Sequence, residues 1–224
     1  MATEPVDTPR RTPLSRERVL RTAVAMADEG GGGVPSMRGI AKRLGVEVMS
    51  LYHHFRSKEL VLDGMVDLVF AEIEPPEGGG DWRAAMRGRA ASMRDALARH
   101  PWATGLMDSR TRPGPATLRH HDAVIGCLRA AGFSVAGAAH ALSVLDGYIY
   151  GFTIQQLGLP FTESAGVEQV GGAILEGMSA EEYPHLAEMI TELALKPGYA
   201  YAEEFDTGLD LILDGLERRR GTWS

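Results

Sequence analysis

Apolar residues recur along this chain at the spacing of helices. Behind Ser15, a good helix cap with Glu17 in the first turn after it, Leu20, Ala23, Val24 and Ala27 repeat three and four residues apart until Gly30. A shorter helix is predicted over 36–44, with Ile40 and Leu44 on one face and Ala41 small enough to let another helix cross closely. Gly45 ends it, because only glycine takes the left-handed terminal conformation without a side-chain penalty. Val46 returns to the core, and a second short helix starts near Glu47 with Leu51 and Phe55 spaced to pack inward. Ser57 caps the next helix, whose stripe is Leu62, Met65, Val66, Val69 and Ile73, stopped by Pro75 and Pro76.

Beyond a linker at 77–80, helices are expected over 81–99, 101–108, 115–131, 135–157, 180–195 and 201–220. Strand-like alternation is absent, so the fold class is all-α. The expected organisation is a disordered arm over 1–13, rich in Pro, Thr and Arg, a helix-turn-helix DNA-binding domain over 14–60, and a larger helical effector-binding and dimerisation domain over 61–224.

Charge sharpens this division. The formal charge of the 224 residues is −7, which would argue against a nucleic-acid partner if spread evenly. Residues 1–60 instead carry ten Lys or Arg against seven Asp or Glu, a net +3, and residues 61–224 carry 13 against 23, a net −10. A basic head on an acidic body confines phosphate binding to one end. The excess is small, so affinity must rest on positioned contacts and on two heads acting together.

Cys127 is the single cysteine, which excludes an intrachain disulfide and fits a reducing, cytoplasmic setting; it suits a small buried hydrophobe, with a redox-sensing thiol as the alternative. No apolar run long enough to span a membrane and no apolar signal core is present. No cofactor and no metal site is expected; the adjacent His120 and His121 point about 100° apart on a helix and cannot serve one metal from one face.

The chemistry concentrates in the two short helices. The second leaves Val48, Met49, Ser50, Tyr52, His53 and His54 on its remaining surface, flanked by Arg38, Lys42, Arg43, Arg56 and Lys58. Hydroxyl, phenol, imidazole and apolar tips among cations suit a DNA major groove, where cations and hydroxyls hold phosphate while tips read base edges and thymine methyls. The same pattern also describes an ordinary helical hairpin with a solvated basic face.

The run MRGIAKRLGVEVMSLYHHFRSKELVLDGM, Met37 to Met65, with the helix leading into it, resembles the tetracycline-repressor (TetR) family of transcriptional regulators. LYHHF followed by a Ser-Lys helix start is its most specific part, and a fainter likeness to the tetracycline repressors continues through TRP (Thr111 to Pro113) and AGFS (Ala131 to Ser134). The resemblance implies a repressor that binds a double-stranded DNA operator as a homodimer and is released by a small-molecule effector. By motif position, Ser36 and Arg38, beside Met37, would contact DNA from the first helix; Val48, Met49 and Ser50 would touch bases; Tyr52, His53, His54 and Lys58 would complete the interface, with Tyr52, His54 and Lys58 on phosphates. Val48 and Met49 stand where the tetracycline repressors have polar and proline residues, so the operator should differ.

Two helices carry a further apolar stripe. Leu142, Leu145, Ile149 and Phe152 step by three, four and three, and Phe205, Leu209, Ile212 and Leu216 by four, three and four, the spacing of helices packed side by side. Both stripes could pack within one chain; the resemblance implies instead a symmetric four-helix dimer interface built on Leu142, Leu145, Ile149, Phe205, Leu209, Ile212 and Leu216. For the effector, Trp82, Met86, Trp102, Met107, Tyr148 and Phe152 supply apolar surface, and Asp108, Arg112, His121 and Gln155 supply polar groups among it; His100, His120 and Asp146 are further polar residues in this body. Asp108 stands where the tetracycline repressors have a metal-binding histidine and Gln155 where they have a carboxylate, which directs the expectation to a different hydrophobic or aromatic effector. The alternative to a regulator is a helical small-molecule carrier or enzyme, yet no nucleophile–base pair, phosphate loop or metal cluster stands at readable spacing.

Overall fold

The computed structural model of the protein describes residues 13–30, 33–77, 79–161 and 164–223. Of the expected arm, all but Pro13 lies outside the described residues. Those described form ten α-helices and no strand.

The leading helix α1 (Arg16–Glu29) starts as its cap residue requires: Ser15 Oγ accepts from the Arg18 N–H at 3.2 Å, and Val19, Ala23 and Ala27 are buried on the inner face. Helix α2 (Met37–Leu44) is capped in the same way, Ser36 Oγ accepting from the Gly39 N–H at 3.1 Å. It ends at Gly45, whose φ of 66° is left-handed and whose peptide, with that of Val46, returns hydrogen bonds to Lys42 and Ala41. Helix α3 (Val48–His54) follows at once, anchored by the buried Leu51 and Phe55.

Helix α4 (Lys58–Glu72) is apolar nearly all round, burying Val61, Leu62, Met65, Val66, Val69 and Phe70. Its neighbours explain why: α1 packs on it from the head, and α5 (Trp82–Arg99) and α6 (Pro115–Ala130) pack on it from the body. The body is completed by α7 (Val135–Gly158), α8 (Ser164–Gly177), α9 (Pro184–Met189) and α10 (Glu204–Arg219), with α7 lying between α5, α6 and α10. One continuous apolar core runs from Val19 in the head to Leu216 in the body.

Three expectations change. The helix predicted over 101–108 is instead two 3₁₀ turns, Pro101–Ala103 and Met107–Ser109. Trp102 and Met107 are both buried, and five residues of regular α-helix would turn them about 140° apart, so the chain breaks to bring both inward. Helix α8 was not expected; its glycines hide an amphipathic face on which Val167 and Gly171 are buried, Gly171 lying against Ile190. The helix predicted over 180–195 is the shorter α9 continued by a π-helical turn at Ile190–Ala194, with Ile190 buried.

Helices α4 and α6 are also joined by a polar cap. Asp67 Oδ1 accepts from both the Thr117 N–H at 2.8 Å and the Thr117 hydroxyl at 2.9 Å, satisfying the exposed amide end of α6 from a neighbouring helix. Gly114 is required beside it, because a Cβ there would collide with the Asp67 carboxylate. Asp67→Ala should lower unfolding free energy by about 1–3 kcal/mol, read as a shift in the urea midpoint that the exposed Asp122→Ala does not show.

Candidate nucleic-acid interface and body cavity

The α2–α3 pair presents a reading surface on a fixed base. Leu51 and Phe55 have no exposed surface, whereas Met49 and Tyr52 on the opposite side of α3 are 67% and 40% exposed and Ser50 is half-buried. Arg38, Lys42, Arg56 and Lys58 are exposed around them. Arg16 of α1 holds the far end of α3: its guanidinium donates to the His54 carbonyl and lies 4.2 Å above the Phe55 ring. The helix that would enter a groove is thus braced from behind while its apolar and phenolic tips stay free.

Polar bonds tie the head to the body. Asp28 of α1 accepts from Trp102 Nε1 at 2.7 Å and pairs with His100 Nδ1 at 2.8 Å, and His100 Nε2 faces Glu72 at 3.2 Å. Burial raises the Glu72 carboxyl pKa, but hydrogen bonds from Arg99 and His100 outweigh this and hold it below its ordinary value.

Within the body, a cavity of about 310 Å³ lies between α4 and the start of α6, lined by Asp63, Val66, Met107, Arg112, Thr117 and His121 among others. Deeper, where α5, α6 and α7 meet, three polar side chains are buried together. Arg89, 2% exposed, donates from Nε to His120 Nε2 at 3.0 Å and from Nη2 to Asp146 Oδ1 at 2.5 Å. Burial first, then the Arg89 and His121 charges, push the His120 pKa down from 6.5 to about 3, so this ring is neutral at physiological pH.

The sequence matches known regulators at both ends. Residues 19–65 match the family described as "Bacterial regulatory proteins, tetR family", and residues 74–220 match "Tetracyclin repressor-like, C-terminal domain". The chain belongs to the TetR family of transcriptional regulators. It is 33% identical to the HTH-type transcriptional repressor DrrR1 of Streptomyces coeruleorubidus, over 93% of this chain and 80% of that protein. It is 31% identical to the class C tetracycline repressor protein of Escherichia coli, over 93% of each chain. The crystal structure of the Streptomyces coelicolor TetR-family protein ActR in complex with actinorhodin superposes with a TM-score of 0.79 at 25% identity, covering 93% of this chain and 98% of that one.

Within the TetR architecture, the expected DNA-contacting residues stand on α2, α3, their caps and the start of α4, and two of them pack on the core. Met37 is buried against the core of the head, so its side chain serves packing and not a groove. Val48 is half-buried and also packs on that core. Of the residues expected at the effector, Met107, Arg112 and His121 come together in the 310 Å³ cavity. The Asp108 side chain lies outside what the structure describes.

The other six stand elsewhere. Trp82 is buried edge-on to Phe133 and donates its Nε1–H to Glu217 at 2.9 Å, and Trp102 is occupied by Asp28. Met86 is core. The Tyr148 hydroxyl donates to the Phe205 carbonyl at 2.9 Å, and Phe152 stacks on Tyr201, whose hydroxyl donates to the exposed Gln155 at 2.8 Å. Trp82, Tyr148, Phe152 and Gln155 are held by α10 and the turn before it, Trp102 by α1 and Met86 by the core, which is why they are unavailable to the cavity.

Arg89 was missed by pattern reading. The available signal was its place in the α5 stripe of Trp82, Met86, Met93 and Leu97, where an arginine must be buried with partners. The neutral state of His120 sets a pH dependence. An unfolded chain takes up a proton at this ring below about pH 6.5 that the folded chain refuses, so stability falls as pH falls. Between pH 7 and pH 5, wild-type unfolding free energy should drop by about 1–2 kcal/mol more than that of His120→Gln, measured by urea unfolding at each pH.

Proposed function

We propose that this TetR-family regulator is a cytoplasmic homodimeric repressor without enzymatic activity. Two α2–α3 heads bind half-sites in successive major grooves of a palindromic operator, about 34–36 Å apart, and a small hydrophobic or aromatic effector in the body releases them. The observation that carries the DNA reading is α3 itself, exposing Met49 and Tyr52 while Leu51 and Phe55 hold it from beneath. Relatives named as repressors, and a structural neighbour crystallised with actinorhodin, support the release mechanism. The proposed division is an arm over 1–13, a head over 14–60 and a body over 61–224, with α4 crossing from one to the other. By linkage, operator binding weakens effector binding by the same factor as the reverse.

The dimer seam moves from its expected position. Leu145, Ile149, Phe152, Phe205, Leu209 and Leu216 are buried within one chain, where α7 packs on α10 and α5, and Leu142 and Ile212 are half-buried on the same core. Residues buried to this degree have little surface to give to a partner. The faces left open are Val144, 49% exposed, and Ile154, 56% exposed, on α7, with Leu211, 70% exposed, on α10. Gly147, Gly151 and Gly215 have open space where a side chain would stand. We place the two-fold four-helix contact on these faces, where small residues let backbones approach.

Two measurements test this reading. Arg38→Ala with Tyr52→Ala should lower affinity for DNA from immediately upstream of the coding region by about a hundredfold or more, with scrambled DNA as control and the melting temperature unchanged. Retained affinity in fluorescence anisotropy would reject the head assignment. Leu211→Glu combined with Gly151→Glu would place unpaired charge at the seam and should halve the mass seen by light scattering; an unchanged mass would reject the interface.

A further inference from the structure

The buried Arg89–His120–Asp146 cluster is incomplete in one direction only. Arg89 Nη1 and His120 Nδ1 have no hydrogen-bond partner, although Arg89 is 2% and His120 3% exposed. A guanidinium can only donate, so His120 Nε2 must accept from Arg89 Nε, and the neutral ring carries its proton on Nδ1. Both unpartnered atoms are therefore donors, and the cluster lacks acceptors.

Two clefts reach these residues. One of about 800 Å³ runs under the 74–81 connection and is lined by Arg89 with Ala84, Ala85 and Gly88 of α5; another of about 430 Å³ is lined by His120 with Phe70 and Ala116. Pro75 lines both. These volumes are those of small-molecule sites, roughly 300–1,000 Å³.

Charge decides which acceptor fits. Asp146 already balances Arg89, and His120 is neutral, so an added carboxylate would leave a net negative charge at depth. At the Arg89 cleft the rim repels it further, because Glu74, Glu77 and Asp81 line it, whereas at the His120 cleft Arg119 and Asp122 offset one another. An uncharged carbonyl oxygen, as in a ketone, quinone or lactone, satisfies either donor without that cost.

We propose that Arg89 and His120 supply donor-only points, each at its own cleft, and that the Arg89 point selects the effector by an uncharged carbonyl oxygen and rejects carboxylates. This deepens the effector-released reading and rests on it. Asp146 is a positioning residue that orients the Arg89 fork.

The test uses three compounds on one ring frame: 9-fluorenone, fluorene, and fluorene-9-carboxylate, titrated by calorimetry into the full-length protein without DNA. Wild type should bind fluorenone at least about tenfold more tightly than either of the others. Arg89→Met should bring fluorenone to within about threefold of fluorene while leaving fluorene itself unchanged. If the single substitution does not fold, Arg89→Met with Asp146→Asn removes the buried charge that would be left unpaired and is read in the same way. Equal affinities in wild type, a preference for the carboxylate, no binding of any of the three, or a fluorenone affinity unmoved by the variant would each overturn the subsite. Operator anisotropy on the same preparation separates the two readings. Carbonyl selectivity without operator binding rejects the regulator and keeps the subsite, and operator binding without selectivity does the reverse.

Discussion

Helix α4 is the element on which both halves of the molecule depend. A helix on the surface of a small domain buries one stripe, but α4 buries residues around most of its circumference because the head covers one side and the body the other. Val61, Leu62, Met65, Val66, Val69 and Phe70 each contribute about 1.5–3 kcal/mol of burial only while both neighbours are in place. The contact with α1 is close: a Cβ at Gly64 would lie 2.7 Å from Leu20. The contact with α6 is fixed by direction, through the hydrogen bonds from Thr117 to Asp67. A close-packed helix between two units does not bend by degrees; it shifts as a body and takes the head with it.

A second restraint lies beside this apolar one. Asp28 in α1 takes hydrogen bonds from the turn that follows α5, through Trp102 and His100, and His100 faces Glu72 at the end of α4. Three elements of different origin therefore share one polar knot at the junction. Apolar packing tolerates small slides, whereas these bonds are specific in distance and angle. The knot defines one head orientation, and the break of the expected helix over 101–108 into two 3₁₀ turns is what allows Trp102 to reach it.

The head was legible in the sequence because everything that shapes it is local. Ser36 caps, Gly45 turns, and Leu51 with Phe55 anchors, all within about twenty residues of one another. The body was legible as helices but not as partnerships. Periodicity identified Leu145, Ile149, Phe205, Leu209 and Leu216 as positions to be buried, and they are; it contains no information on whether the covering surface belongs to the same chain or to another. Helix α7 is apolar on more than one side, so its inner and outer faces could not be told apart until α5 and α10 were set against it. The tryptophans misled for a related reason. Trp82 and Trp102 are large and apolar, but each is positioned by its single N–H, and the acceptors, Glu217 and Asp28, are 135 and 74 residues away.

Ring contacts join α6 to the connecting helix α4. His120, whose outer nitrogen lacks an acceptor, has its ring 5.4 Å from that of Phe70, and His121 on the 310 Å³ cavity lies 5.5 Å from the same ring. Phe70 belongs to α4 and is buried. Adjacent histidines on α6 thus lean on one residue of the connecting helix from two different cavities. Proximity alone does not move the head. The free energy for that must come from a ligand that binds one setting of α4 more tightly than the other, and tight binding without such a difference shifts nothing. On the proposed donor points, a carbonyl ligand would supply such a difference by meeting an N–H squarely in one setting of α6, a helix tied to α4 by the ring contacts with Phe70 and by the hydrogen bonds from Thr117 to Asp67.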